Sequence, residues 1–486
     1  MPNARASIAF TATPGYPGPR DGFSPCARMP EYPFGDITKE PNPVYEAVRR
    51  LFAQAGLDRE RFGTAEWNPL ACYIRPGSSV FVLCNFVYHR RPQDSERDFH
   101  AKCIHGSVLR ALLDYVCIAV GSRGRIRFGN APLQSCTWER VLHDAEADRV
   151  AEFYRGQGLE VLPQDLRLYV TDRSQLGRVR GIERRDEAAA VEIDLAGQSL
   201  LAGLEGGGTP PRFRVADYDP ARIESFHAGS SHRYVLNRAI LESDVVISLP
   251  KLKTHEKVGV TCALKGFVGA VAHKDCLAHH RFGSPRDGGD EYPDRLGWLR
   301  AASSLHDWVY HREPDAALQG PIQIGERTLR RLFRRARLTT GGAWYGNDTC
   351  WRMAVDLARI VHYADRSGVM RETPQRRHLA LIDGIVAGEG DGPLAPSPVD
   401  ARALLFADDV VLADRLACRL MGFDPRDIPL VDRAGGVEPW RLGPEPGSTP
   451  AIVLEGREVG EADVPAVLGR AFRPPGGWVE RLRRAS

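Results

Sequence analysis

Four short apolar runs constrain this chain more than any other feature. SSVFVLCNFV (78–87), DVVISLP (244–250), HLALIDGI (378–385) and ARALLFADD (401–409) contain almost no polar interruption. A strand with one wet face alternates apolar and polar residues, whereas a strand covered on both faces reads as a nearly continuous apolar run. GRIRFGNAPLQS (124–135) reads as a further strand and its exit loop. Between these runs the spacing becomes helical. NPVYEAVRRLFAQAGL puts Val44, Ala47, Val48 and Leu51 on one stripe, IHGSVLRALLDYVCIAVG follows a strand, and ALLF leads into VVLADRLACRLMG. Strands alternating with helices predict an α/β fold with a mostly parallel, doubly wound, Rossmann-like sheet and right-handed crossovers.

The expected organisation follows from where that alternation holds. Residues 1–77 read as an irregular N-terminal arm and a helix packed on the core. Residues 78–280 form the first part of the core, with 161–215 as short strands that pair at one edge or make a small β subdomain. Residues 281–350 break into Gly, Pro and charge and read as an insertion or lid. Residues 351–440 complete the core, and 441–486 form an extension ending in a loose tail. Inside the insertion, GERTLRRLFRRARL (325–338) is a solvated Arg-rich face or a membrane-surface helix.

Composition removes several function classes. A net charge of +3 over 486 residues offers no concentrated basic face for nucleic acid. No run approaches the ~18 apolar residues of a membrane span, and the start lacks the apolar core of a signal peptide. The ten cysteines include no CxxC pair, so neither an iron–sulfur cluster nor a disulfide framework is expected. A cytoplasmic, reduced protein is the simplest expectation.

Lysine is distributed unlike arginine. The chain has 65 basic residues but only seven lysines, and five of them (Lys251, Lys253, Lys257, Lys265, Lys274) fall within 247-ISLPKLKTHEKVGVTCALKGFVGAVAHK-274. An ammonium is a compact point charge whose pKa shifts readily on burial, while a guanidinium is a planar fork that stays protonated. A cluster that keeps lysine suggests proton transfer, Schiff-base chemistry or close approach to an anion. The plainer reading is one lysine-rich helix and loop.

Ligands of open α/β sheets bind outside the carboxyl ends of the strands, so the residues following each apolar run are the candidates. These are Asn85; then Asn130 and Gln134; then Lys251, Lys253, Thr254 and His255; then Asp383, Glu389 and Asp391 in DGIVAGEGDGP; and Asp408 with Asp409. Further along the lysine block come Thr261, Lys265, Lys274, His279 and His280. The histidines show no zinc spacing, and a structural or surface role competes for each of them. Together with Asp383, Glu389 and Asp391 they suggest a divalent metal, with the cofactor otherwise left open. No GxGxxG opens a helix after a strand, so there is no dinucleotide fingerprint, and no GxSxG elbow occurs. Cys262 reads as packed rather than nucleophilic.

With those residues in hand, the chain resembles the domain of unknown function 362 family. The pieces that carry the likeness are the strand ending in Asn85, LESDVVISLPKLKTHEKVGVTCALKGFVG, LALIDGIVAGEGDGP and LLFADDVVLADRLACRLMGFDP, in the family's order over roughly residues 78–430. WNPL, GNAPLQSC, KDCLAHHRFGSPRDGGDEYP and WYGNDTCWRMAVDLARI are similar to one long-chain branch. Members of that branch occur in bacterial polysaccharide and specialised-metabolite gene sets, which implies a biosynthetic role by association. Relatives typically show Lys-Pro-Asn where this chain has Leu83-Cys84-Asn85, and Asn in place of Gly266. The family supplies no settled activity.

The expectation is therefore an enzyme acting on a small anionic, carboxylate- or phosphate-bearing intermediate. Lys251, Lys253 and Lys265 would bind the anion or polarise an oxygen, His255 would be the general acid/base, and the three carboxylates would hold a metal or assist proton transfer. Thr254, Thr261, Asn85, Asn130, Gln134, Lys274, His279 and His280 would line the substrate. Two alternatives stay open: a non-catalytic binding protein or scaffold for a nucleotide-sugar or polyanion, and a metal- or cofactor-dependent redox enzyme.

Overall fold

The apolar runs become the middle of a 12-stranded sheet. The structure is a computed structural model that describes residues 4–18, 20–173, 179–184, 186–204, 211–215, 220–301, 303–304 and 339–482. The Arg-rich stretch 325–338 lies outside them. The principal strands are Arg5–Phe10 (β1), Ser79–Cys84 (β2), Arg125–Asn130 (β3), Val161–Asp165 (β4), Val245–Leu249 (β5), Lys251–His255 (β6), Arg377–Glu389 (β7), Ala403–Ala407 (β8) and Ala451–Leu454 (β9). The helices that cover them are Pro43–Gln54 (α1), Gly106–Val120 (α2), Trp138–Asp144 (α3), Ala147–Gly156 (α4), Cys262–Gly266 (α5), Cys350–Tyr363 (α6) and Val410–Leu420 (α7).

Across the sheet the order β4-β3-β2-β5-β7 is parallel throughout. β8 and then β1 continue it antiparallel, and β9 adds in parallel to β1. The five parallel strands thus follow the 3-2-1-4-5 order of doubly wound dinucleotide folds. Alternation along the strands fixes the layers. Val80, Val82, Ile247, Leu249, Leu379 and Leu381 pack on the side of α1 to α4. Phe81, Leu83, Val246, Ala380 and Ile382 pack on the side of α5 to α7. A slip of one residue would exchange both sets, and at roughly 1.5–3 kcal/mol for each large aliphatic side chain the register is secure.

Four elements differ from the sequence reading. Residues 1–42 do not begin as an irregular arm: RASIAF is a buried strand held between two neighbours. PKLKTH is not a loop, since Lys251–His255 pairs with β7 and turns back through Gly259–Val260. DGIVAGE is not a loop either, because β7 runs on to Glu389. Glycine makes that possible: a Cβ on Gly384 would sit 2.8 Å from Leu252 Cδ2, and one on Gly388 would sit 2.6 Å from Ala101 O. The C-terminal segment is not loose throughout, because Trp478 is buried and its Nε1 donates to Glu256 O at 2.7 Å. The 161–215 region divides: β4 extends the sheet edge, 190–194 pairs with 231–237, and 169–173 pairs with 179–184.

Candidate functional site

The switch point of the sheet lies between β2 and β5, whose following helices pack on opposite faces. There the Asn85 amide donates to Leu249 O at 3.1 Å. A crevice at this place is where doubly wound folds take their ligands. Asn85 Oδ1, Asn130 Oδ1, Ser248 Oγ and Thr261 Oγ1 are all buried there without a hydrogen-bond partner among the described residues. Asn130 uses only its amide nitrogen, which donates to Phe86 O at 3.2 Å. Buried polar atoms without partners are uncommon, and others of this kind, such as those of Gln54, Tyr292 and His378, lie elsewhere in the fold. Asp408 and Asp409, expected in the same cleft, are at the opposite end of the strands because β8 runs antiparallel to β7. Asp408 accepts from Arg5 N and Tyr73 Oη, and Asp409 caps α7 through Leu412 N.

Lys251 is consumed by an internal ion pair. Its Nζ lies 2.9 Å from Asp383 Oδ2, and both side chains are fully buried. Tyr16 closes the pair: its hydroxyl donates to Asp383 Oδ1 at 2.7 Å and also receives the Lys251 ammonium. The His105 and Ile385 amides donate to the same carboxylate at 3.3 and 3.2 Å. His105 is the N-cap of α2, the long helix that follows β2 after the short helix Glu96–His100. A helix N-terminus favours an anion, and here a carboxylate of the chain itself takes that place. Tyr16 stacks on His105 with centroids 4.1 Å apart, and His100 meets both rings edge-on. Burial keeps the Tyr16 phenol protonated and both imidazoles neutral, with His100 pushed down to about 3.

Three further lysines end on backbone carbonyls. Lys253 Nζ donates to Lys102 O at 2.5 Å, Lys274 Nζ donates to Ala131 O at 2.8 Å and to Val268 O at 3.3 Å, and Lys257 Nζ donates to Gly341 O. Burial without a carboxylate, with Lys251 and Lys102 adding repulsion, lowers Lys253 to about 7. Burial and the nearby Arg167 do the same to Lys274. These contacts answer part of the lysine question. A buried amine can shed its proton, and a guanidinium cannot.

Lys265 differs from the other four. It is 7% exposed, and its amine has no hydrogen bond or ion pair among the described residues. Burial lowers its pKa, and Lys257 adds to the effect. His255 and His279 are held neutral, first by burial and next by the proximity of Lys265. Their tautomers are fixed by opposite partners. His255 Nδ1 accepts from the Lys257 amide at 3.1 Å, so its proton resides on Nε2. His279 Nδ1 contacts Leu277 O at 3.0 Å and must be the donor, so its Nε2 carries a lone pair. One imidazole therefore offers a proton and the other accepts one, and the charge of Lys265 acts on both.

The position of Lys265 depends on Asp414, which sequence reading missed. α5 opens at Cys262 with φ +40°, a strained value for a residue with a side chain. The buried Asp414 carboxylate of α7 accepts from Ala263 N at 2.6 Å and from Leu264 N at 2.9 Å. Burial raises Asp414 to about 7. We expect Asp414→Ala to cost about 2–3 kcal/mol in urea unfolding, because two buried amides lose their acceptor. It should also change the acetylation rate of Lys265 relative to Lys39, read by peptide mass spectrometry. An unchanged ratio would separate Asp414 from the Lys265 site. Its signal in the sequence was a lone acid on the apolar stripe of VVLADRLACRL.

The remaining candidates disperse. Thr254 Oγ1 donates to Gly390 O at 2.8 Å, a brace between strands. Gln134 is buried and its carbonyl accepts from Arg167 at 3.0 Å. His280 sits in a two-residue strand against Phe213 and Arg214. The suggested metal carboxylates do not come together. Asp383 is spent on Lys251 and Tyr16, Glu389 accepts from Arg470 at 2.9 Å and from Arg473 N at 2.8 Å, and Asp391 is exposed. Among the described residues no three His, Cys, Asp or Glu side chains form a metal-binding group. All ten cysteines are free thiols. No described helix is long and apolar enough to cross a membrane.

Fold and site together define a mixed α/β protein with a block of buried lysines and histidines that follows the central strand β5. Residues 211–419 match the family model described as Domain of unknown function (DUF362). The match contains the lysine block, β7 and α7, while Asn85 and Asn130 precede it. No curated protein matches the chain, and no solved structure does.

Proposed function

We propose that this protein is an enzyme acting on a small anionic, carboxylate- or phosphate-bearing intermediate. Lys265 and His255 carry acid–base or group-transfer chemistry, His279 serves as the partner base, and Lys257 attracts the anion. The observation that supports this reading best is Lys265, a buried lysine without an acceptor among the described residues, whose charge acts on two neutral imidazoles held in opposite tautomers. The unpartnered oxygens of Asn85, Asn130 and Thr261 supply hydrogen-bonding capacity at the adjoining switch point. Lys251, Lys253 and Lys274 take structural roles, since each has its acceptors within the fold.

The test is thermal unfolding against a panel of 2-oxo acids, phosphosugars and nucleotide-sugars, followed by product analysis by mass spectrometry. A stabilising ligand should lose its effect in Lys265→Met, while the melting temperature of the free protein stays within a few degrees of wild type. Stabilisation without product favours the binding-protein alternative. Ligand effects that survive in both Lys265→Met and His255→Ala would remove the cluster from the function.

A further inference from the structure

We propose that the protein binds a small oxyanion, the phosphate or carboxylate group of a metabolite, in a cavity at the amino ends of β5 and β7. This site lies at the opposite strand ends from the lysine block and goes beyond the function proposed above. The cavity has a volume of about 270 Å³, and Asp244, Asp365, Arg366, Ser367, Gln375 and Arg376 are among the residues that line it. That is below the size of pockets for drug-sized ligands, so the occupant is smaller than a nucleotide. The charges around the cavity are unequally paired. Asp365 accepts from Arg371 Nε at 2.8 Å and Nη2 at 2.5 Å, and from the Ser367 and Val369 amides at 2.8 and 3.0 Å. Asp244 accepts from the amide and the hydroxyl of Ser79 at 2.8 and 2.9 Å. Arg366 is exposed and reaches only Asp244, at 3.5 Å. Arg376 is buried, and the groups it bonds among the described residues are the carbonyls of Val361, Leu241 and Ala364.

Those bonds use three of the five N–H groups of the guanidinium, and its Nε is buried without an acceptor among the described residues. A buried charge without a counter-ion is costly, and an oxyanion in the adjoining cavity supplies the missing charge. Arg366 meets the same anion from the solvent side, and the Ser367 hydroxyl is a further donor in the lining. A metal cation fits less well, because both carboxylates already have their donors. The wall of the cavity is preformed. Gln375 N donates to His362 O at 2.8 Å and Arg371 N to Tyr363 O at 3.0 Å, which ties the α6–β7 connection to the end of α6. Gly368 has φ +86° and packs so closely on the strand at 190–194 that a Cβ would sit 2.7 Å from Val191 Cγ1. A ligand therefore meets the arginines without first ordering this segment, and binding is spared that entropic cost.

The experiment titrates the full chain with inorganic phosphate, glycerol 3-phosphate and succinate by calorimetry at constant ionic strength, with magnesium chloride as the control. The expected result is saturable binding of at least one of the three at one site per chain, and the phosphate and dicarboxylate arms show which oxyanion is preferred. Arg366→Gln should weaken it about tenfold, the loss of one charge-assisted hydrogen bond. Ser367→Glu, which puts a carboxylate into the cavity, should abolish it. Both positions are exposed, so each variant should keep the wild-type melting temperature within a few degrees. Lys265→Met should leave the binding unchanged. Failure of all three oxyanions to bind, binding of magnesium in their place, or binding that survives both cavity variants would overturn the proposal. Binding lost in Lys265→Met but kept in Ser367→Glu would also overturn it, while leaving the reading of the lysine block standing.

Discussion

Asp383→Asn is expected to destabilise the protein by about 3–5 kcal/mol, seen as a large fall in the urea midpoint. The substitution keeps the shape and one acceptor but removes the charge facing Lys251, which is fully buried and 2.9 Å away. The ammonium then has only the Tyr16 hydroxyl, a neutral partner. The paired change Lys251→Met with Asp383→Leu should recover most of the loss, because replacing both members of a buried ion pair by apolar groups is often close to neutral. The two backbone amides that now bond Asp383 set the limit on that recovery. Equal damage from the single and the paired substitution would show that the carboxylate matters as an acceptor of those amides rather than as a counter-ion.

Stability should rise with pH between about 7.5 and 8.5. In the unfolded chain a lysine keeps its proton to its ordinary value of 10.5, while folded Lys253 and Lys274 release theirs at about 7. Between those values the unfolded chain binds more protons, so raising the pH favours the folded state. Each lysine adds up to about 1.4 kcal/mol per pH unit. Below 7 both states are protonated and the penalty is constant. Asp414, raised to about 7, has the opposite sign but is largely ionised by pH 7.5. Near pH 9 the unfolded thiols begin to ionise while buried Cys276 stays protonated to about 12, so the trend reverses. Urea midpoints across this window should lose much of their slope in Lys253→Met with Lys274→Met. A flat wild-type profile would mean that both lysines stay charged inside the fold.

Much of this molecule could be read from its residues. Continuous apolar runs need cover on both faces, which requires helices on both sides of a parallel sheet, and VFVLC and DVVISLP occupy adjacent central strands. The lysine block also follows directly on β5, the strand beside the switch point. Reading failed where a polar residue proved to lie inside a strand. Asp383 looked like a strand-end loop residue because Gly and Asp usually mark turns. In the fold, Gly384 and Gly388 instead let β6, Ala403 and Ala101 approach β7 closely.

The sequence alone determined that lysine, scarce elsewhere in the chain, is concentrated in one block that follows a central strand. Only the tertiary structure decided what each lysine does. The reason lies in their partners: the carbonyls of Lys102, Ala131, Val268 and Gly341 hold Lys253, Lys274 and Lys257. A backbone carbonyl is the same at every residue, so no spacing or residue type announces it. Tyr16 and Asp383 lie 367 residues apart and are equally silent until the fold joins them. When those partners are assigned, Lys265 is left as the amine of the block with no partner among the described residues, and that distinction exists only in three dimensions.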